Sequence, residues 1–252
     1  MIITLLGLIS GLLLGLTGGG GAIITVPALI YGVKLPVIIA TTMSLFVVGS
    51  SALIGSVLRR KEVKFFDAIT FAFFGSLSAP LGIYCGKFFP EPALLISFAV
   101  LMLIIAFIMF RKSLKPPLLS IVTKESLVKF DPKIIPIALI TGFLTGIFGV
   151  GGGFLIVPAL ILFKKLDNKS AVATSLFIIF LLSTSSIISK IKTVELDYAL
   201  VVIFSIGSIV GMFIGSWLAK KINARTTQQL FSIVAALVGL WMLIDNIMKL
   251  IK

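Results

Sequence analysis

Apolar residues run along this chain in unbroken blocks rather than at helical or strand intervals. Eight uncharged stretches, 2–33, 35–58, 68–86, 92–110, 134–163, 170–189, 198–219 and 226–244, alternate with short clusters of charge. A helix on a water-soluble domain keeps a polar face at 3.6-residue spacing, whereas these stretches are apolar all round. Each has the roughly 20 residues that a helix needs to cross a bilayer. The pattern predicts an all-α polytopic membrane protein with about eight transmembrane segments.

The eight segments fall into two matching sets. Residues 11–30 read GLLLGLTGGGGAIITVPALI and residues 142–161 read GFLTGIFGVGGGFLIVPALI; at an offset of 131, 11 of 20 positions are identical. The register continues, with Ala40…Ser44-Leu45-Phe46 falling on Ala171…Ser175-Leu176-Phe177. Glycine, proline and serine held in register point to an internal duplication rather than to chance likeness between apolar segments. The predicted organisation is a four-segment repeat at 1–110, a linker at 111–133 and a second four-segment repeat at 134–252. The linker holds Pro116, Pro117 and charges of both signs, and fits a cytoplasmic surface loop with a short amphipathic helix at 118–130.

The first stretch of each repeat is too long for one crossing. At 1.5 Å per residue, its 30 or so residues would make a helix of about 45 Å against a ~30 Å hydrocarbon core. Glycines interrupt both stretches, at Gly18, Gly19, Gly20 and Gly21 and at Gly149, Gly151, Gly152 and Gly153, followed by Pro27 and Pro158. Each glycine costs roughly 1 kcal/mol in a helix interior relative to alanine, and proline removes a backbone donor. Two half-helices meeting at unwound backbone are the expected outcome. Paired Gly/Pro interruptions at matching positions of two repeats are the sequence pointer to a transporter's binding site. Unshielded amides and half-helix N-termini would hold an anion there without a buried cation, helped by the hydroxyls of Thr17, Thr41, Thr42, Ser44, Thr174 and Ser175. The bland alternative for glycine is close helix packing. It suits the four-residue spacing of Gly7, Gly11 and Gly15 and of Gly142 and Gly146, but four adjacent glycines wrap right round a helix.

Charge decides orientation more than function. The net charge is +13, yet the cations flank apolar segments, so a nucleic-acid surface is excluded and the positive-inside rule applies. If all eight stretches simply cross, Lys and Arg divide 14 to 8 between the two sides. If the first stretch of each repeat re-enters, they divide 16 to 6, with 59–64, 111–133, 164–169 and 220–225 on the cytoplasmic side. The re-entrant reading makes the repeats inverted; a break without re-entry makes them parallel. There is no histidine, and no carboxylate inside any of the eight stretches. An embedded hydrolase therefore lacks its base, and a proton relay lacks its usual carriers; Asp67, Glu195 and Asp197, at segment mouths, are the nearest. No metal or cofactor is called for, and the long apolar exterior is compatible with a homodimer.

The doubled Gly15-Leu-Thr-Gly18-Gly-Gly-Gly21…Val26-Pro27-Ala-Leu29 and Gly146-Ile-Phe-Gly149-Val-Gly-Gly-Gly153…Val157-Pro158-Ala-Leu160 resemble the sulfite exporter TauE/SafE family. The following A-x-x-x-S-L segments, Ala40–Leu45 and Ala171–Leu176, resemble it too. The resemblance covers nearly the whole chain. It implies an inner-membrane permease for a small sulfur-containing anion, sulfite or an organosulfonate, with the glycine motifs and the Ser44 and Ser175 segments as the substrate site. Val150 stands where Gly19 would predict glycine, so the two half-sites differ. An anion channel or a non-transporting membrane scaffold is the alternative use of the same breaks.

Overall fold

The computed structural model describes residues 2–114, 132, 134–148, 153–190, 194 and 196–251, and their regular structure is all helical. The helices are α1 (Ile2–Thr17), α2 (Gly20–Pro27), α3 (Val37–Leu58), α4 (Phe65–Gly86), α5 (Glu91–Leu114), α6 (Ile134–Phe148), α7 (Gly153–Phe163), α8 (Asn168–Lys190), α9 (Tyr198–Leu218) and α10 (Ala224–Ile251). Among the described residues, six are long and apolar enough to cross a membrane: α3, α4, α5, α8, α9 and α10. The uncharged stretches 2–33 and 134–163 are instead each divided into two shorter apolar helices. The amphipathic helix predicted at 118–130 and the carboxylate of Glu195 lie outside the described residues.

The first division is a sharp reversal. Gly18 has φ +74°, a left-handed conformation that a side chain makes costly. Beyond it the chain runs back along α1. The Ser10 hydroxyl meets Thr25 Oγ1 and donates to Gly21 O at 3.1 Å, and Gly32 lies against Leu6 near the start of α1. Pro27 brings no amide hydrogen to this return. The chain widens straight after it into one π-helical turn, Ala28–Gly32, closed by Val33 N–H donating to Ala28 O at 3.2 Å. Lys34 then turns the backbone with φ 61°, and Leu35 N–H donates to Leu29 O at 3.1 Å. The same stop follows α7: Lys165 has φ 52° and Leu166 N–H donates to Leu160 O at 3.3 Å. Both pairs are 131 residues apart.

The second return is visible in its partners. α6 runs parallel to α4, with Gly142 on Gly75 and Gly146 on Ala79, so its last residues lie deep towards the far end of α4. α7 then comes back to the start of α4, where Lys164 Nζ lies 2.8 Å from Asp67 Oδ1. Both first stretches are therefore helical hairpins that enter and leave at one end of the molecule.

The halves interlock crosswise. α1 packs on α9 and α6 on α4, while α3 packs on α8, α5 on α10 and α2 on α7. Apolar burial cannot drive these contacts in lipid, where the surroundings are as apolar as the partner; close approach and dispersion do. A Cβ on Gly11 would overlap the Ser208 carbonyl, and one on Gly211 the Leu8 carbonyl, so α1 and α9 touch backbone to backbone. α4 shows the complementary lipid face: Phe73, Leu77 and Leu81 are exposed at four-residue spacing, whereas Phe71, Gly75, Ala79 and Gly82 are buried.

Polar contacts gather at one end. Arg59 Nη2, at the end of α3, donates to Gly15 O near the end of α1 at 2.5 Å. Burial pushes this guanidinium below its usual pKa and Glu62 opposes the shift; an arginine stays charged regardless. Lys112 Nζ donates to Ile161 O at 3.2 Å, and Gln228 Nε2 to Asn168 Oδ1 at 3.1 Å.

Gly11→Ala should destabilise the protein by about 3 kcal/mol, because backbone must move to admit the methyl group. Gly32→Ala meets only the flexible tip of Leu6 at 2.9 Å and should cost less than about 1 kcal/mol. Thermal unfolding midpoints in detergent separate the two.

Candidate substrate site

The tips of the two hairpins meet. A Cβ on Gly19 would overlap the Gly153 carbonyl, and one on Gly153 would stand 3.3 Å from Gly19 Cα. Gly19 is the residue before α2 and Gly153 the first of α7. The N-termini of two half-helices thus abut inside the protein, α2 leading away to one end and α7 to the other. Each N-terminus carries roughly half a positive charge, so their junction is a positive centre that contains no ionised side chain.

The neighbouring groups are hydroxyls and apolar walls. Thr17 Oγ1 accepts from Gly20 N–H at 2.7 Å and donates to Leu13 O at 2.7 Å, capping α2 and tying it to α1. Ser175 Oγ lies 2.9 Å from Gly18 O and 2.8 Å from Val172 O, so one hydroxyl proton is shared between the break and its own helix. Ile179 and Phe231 close the sides, against Gly153 and Gly20 respectively.

The residues singled out from sequence divide into three groups. Thr17, Gly18, Gly19, Gly153 and Ser175 lie at the meeting of the tips. Gly20 and Gly21 are helical, in the first turn of α2, so the unwound backbone is two residues rather than four. Gly149, Gly151 and Gly152 lie outside the described residues. The other hydroxyls are dispersed. Thr174 Oγ1 accepts from Lys64 N–H at 3.0 Å, towards the start of α4. Ser44 Oγ donates to Thr41 O at 2.8 Å within α3, and Thr41 and Thr42 donate to Ile38 O.

Thr41 does reach open space. It lines a cavity of about 240 Å³ together with Val26, Val37, Phe98, Gly146 and Phe148, which ends against the last turn of α6. Lys87, Glu91 and Lys190 form its charged wall. Sequence reading passed over these three as segment-end charges, and only the folded chain shows them facing one space. A second crevice, of about 10 Å³, lies among Thr17, Val157, Asn168, Gln228 and Phe231. The two are counterparts: Val26 and Val157, Val37 and Asn168, and Thr17 and Phe148 are each 131 residues apart.

A family model described as Sulfite exporter TauE/SafE matches residues 3–242. The chain belongs to the sulfite exporter TauE/SafE family. As a member of that family it is a membrane transporter. Among its relatives, a probable membrane transporter protein of Xylella fastidiosa (strain 9a5c) is 29% identical, covering 92% of this chain and 90% of its own length. The probable membrane transporter protein YunE of Bacillus subtilis (strain 168) is 27% identical over 98% of both chains. The probable membrane transporter protein MJ0441 of Methanocaldococcus jannaschii is 29% identical, with 96% of this chain and 95% of its own covered. No solved structure gives a significant match.

Removing the Ser175 hydroxyl takes a donor from the buried Gly18 carbonyl. Ser175→Ala should therefore lower stability by about 1–2 kcal/mol, seen as a lower unfolding midpoint in detergent. Ser76→Ala, which removes an exposed bond within one helix, should leave the midpoint unchanged.

Proposed function

We propose that this member of the family carries a small sulfur-containing anion, sulfite or an organosulfonate, across the cell membrane by alternating access. The observation that carries the reading is the meeting of the α2 and α7 N-termini at Gly19 and Gly153. An anion is the ligand that two convergent helix N-termini favour. Each end contributes about 0.3–1 kcal/mol in exposed sites and up to ~2 kcal/mol where partly buried. A site made of dipoles also releases its ligand more readily than one made of full charges, as a carrier must.

Alternating access rests on the unequal pair of cavities. Counterpart residues line about 240 Å³ at one end and about 10 Å³ at the other, as in a carrier open to one side. The crosswise packing of α1 on α9 and α6 on α4 supports an inverted relation of the two halves, in which each could adopt the other's conformation. The end holding Arg59, Arg60, Lys61, Lys64, Lys164, Lys165, Lys220 and Lys221 is then cytoplasmic by the positive-inside rule, and the large cavity faces outward. Export follows the anion's own gradient: an interior-negative potential favours it by about 2.3 kcal/mol per charge per 100 mV.

Purified protein in liposomes should carry sulfite and methanesulfonate with saturable rates that respond to an imposed potential and not to a pH gradient. Gly19→Val should reduce that flux more than tenfold, since its side chain would separate the two N-termini. A wild type with no flux of any sulfur oxyanion would sink the substrate assignment, and non-saturating flux would mark a channel. Asp67→Asn removes the ion pair that holds the end of α7 against α4 at the closed end. It should shift the carrier towards opening there, so that a cysteine-directed reagent labels Thr227→Cys, made in a Cys85→Ser background, several-fold faster.

A further inference from the structure

The large cavity carries more charge than a passage needs, and that charge is placed on its wall. Lys87 follows α4 directly and Lys190 ends α8; both line the cavity, and their ammonium groups lie near enough to repel each other. Two cations held near each other in a partly apolar space raise one another's energy, and an anion between them relieves that cost. Glu91 shares the wall and leaves the local balance at one positive charge. Ser189, beside Lys190 in sequence, adds a hydroxyl to the lining. Apolar side chains including Phe98 and Phe148 make up much of the remainder, and low-dielectric walls focus such a field.

The position of Lys190 has a counterpart. Arg59 stands 131 residues before it, and Gly15, whose carbonyl Arg59 bonds, stands 131 before Gly146, which lines the cavity with Lys190. Both halves therefore place a cation at the same point beside the hairpin, engaged at the closed end and facing the cavity at the open one.

We propose that Lys87 and Lys190 form an outer anion subsite, a staging position in the mouth of the cavity for a sulfonate or sulfite group on its way to or from the junction of the hairpin tips. This rests on the anion-transport reading for its substrate, but the site itself is testable without transport. Ser189→Cys in a Cys85→Ser background puts a single thiol in the cavity wall. Its rates of modification by an anionic and a cationic methanethiosulfonate reagent are compared; their ratio reads the local potential, because thiol reactivity cancels. The ratio should favour the anionic reagent, fall about tenfold when Lys87→Gln and Lys190→Gln are added, and recover with Lys87→Arg and Lys190→Arg. Methanesulfonate should slow the anionic reagent only while the cations are present. In liposomes, the Gln pair should raise the KM for methanesulfonate entering from the cavity side about fivefold and leave the maximal rate within about twofold.

A ratio that ignores both lysines, in protein that elutes as one peak in detergent, overturns the subsite. An unchanged KM beside normal wild-type flux overturns it as well. Absent wild-type flux with a lysine-dependent ratio supports the subsite and removes the transport reading instead.

Discussion

Backbone inside a bilayer has nowhere to send its hydrogen bonds but to other protein, and the rest of this fold follows from how it meets that demand. Two chain reversals sit at membrane depth, and unwound peptide facing lipid would leave several kcal/mol unsatisfied at each. Here the first reversal is covered by the second. Gly19 lies on Gly153, Ser175 serves the Gly18 carbonyl, and Thr17 receives the Gly20 amide. The contact is possible only because neither backbone carries a side chain at the point of approach. The same absence leaves two helix N-termini facing each other, so satisfying the backbone and creating a positive centre are one structural event.

Keeping two reversals in contact requires a rigid frame, and glycine supplies that too in a different capacity. Along α1, Gly7, Gly11 and Gly15 bring the helix onto α9 at backbone distance; Gly142 and Gly146 do the same for α6 on α4. These are packing glycines, each on one face, and they lock the outgoing arm of each hairpin to the opposite half. The returning arms, α2 and α7, are short and end in tight left-handed stops at Lys34 and Lys165. Each hairpin therefore has one arm anchored across the molecule and one arm free to pivot about its tip.

Much of this was legible in the sequence because lipid imposes simple demands. Excess length in 2–33 and 134–163, together with clustered glycine and a following proline, leaves a hairpin as the economical solution, and the four-residue glycine spacing marks packing faces. Local signals stop there. That Gly20 and Gly21 are helical depends on the Thr17 cap, a three-dimensional detail that glycine content alone contradicts. Thr174 and Ser175 look equivalent in sequence, yet one reaches Lys64 at the closed end and the other the break, because adjacent residues on a helix point about 100° apart. Lys87 and Lys190 read as topological charges, since a segment-end cation has that role by default; only the arrangement of α3, α4, α5, α6 and α8 around one space gives them another.

The two halves differ most where a carrier needs them to. At the closed end, Asp67 pairs with Lys164 and Arg59 holds Gly15 O; at the open end, Lys190 and Gly146 line a cavity instead. Equal halves would leave the two end states equal in energy, and chemistry that differs between the ends tilts the balance. An ion pair with side chains 12% and 18% exposed is only partly desolvated, so it forms and breaks at modest cost. A latch of that strength suits a transporter better than a dry apolar seal. It holds one end shut when the site is empty, yet yields to an anion that gains about as much at the helix ends as the latch releases.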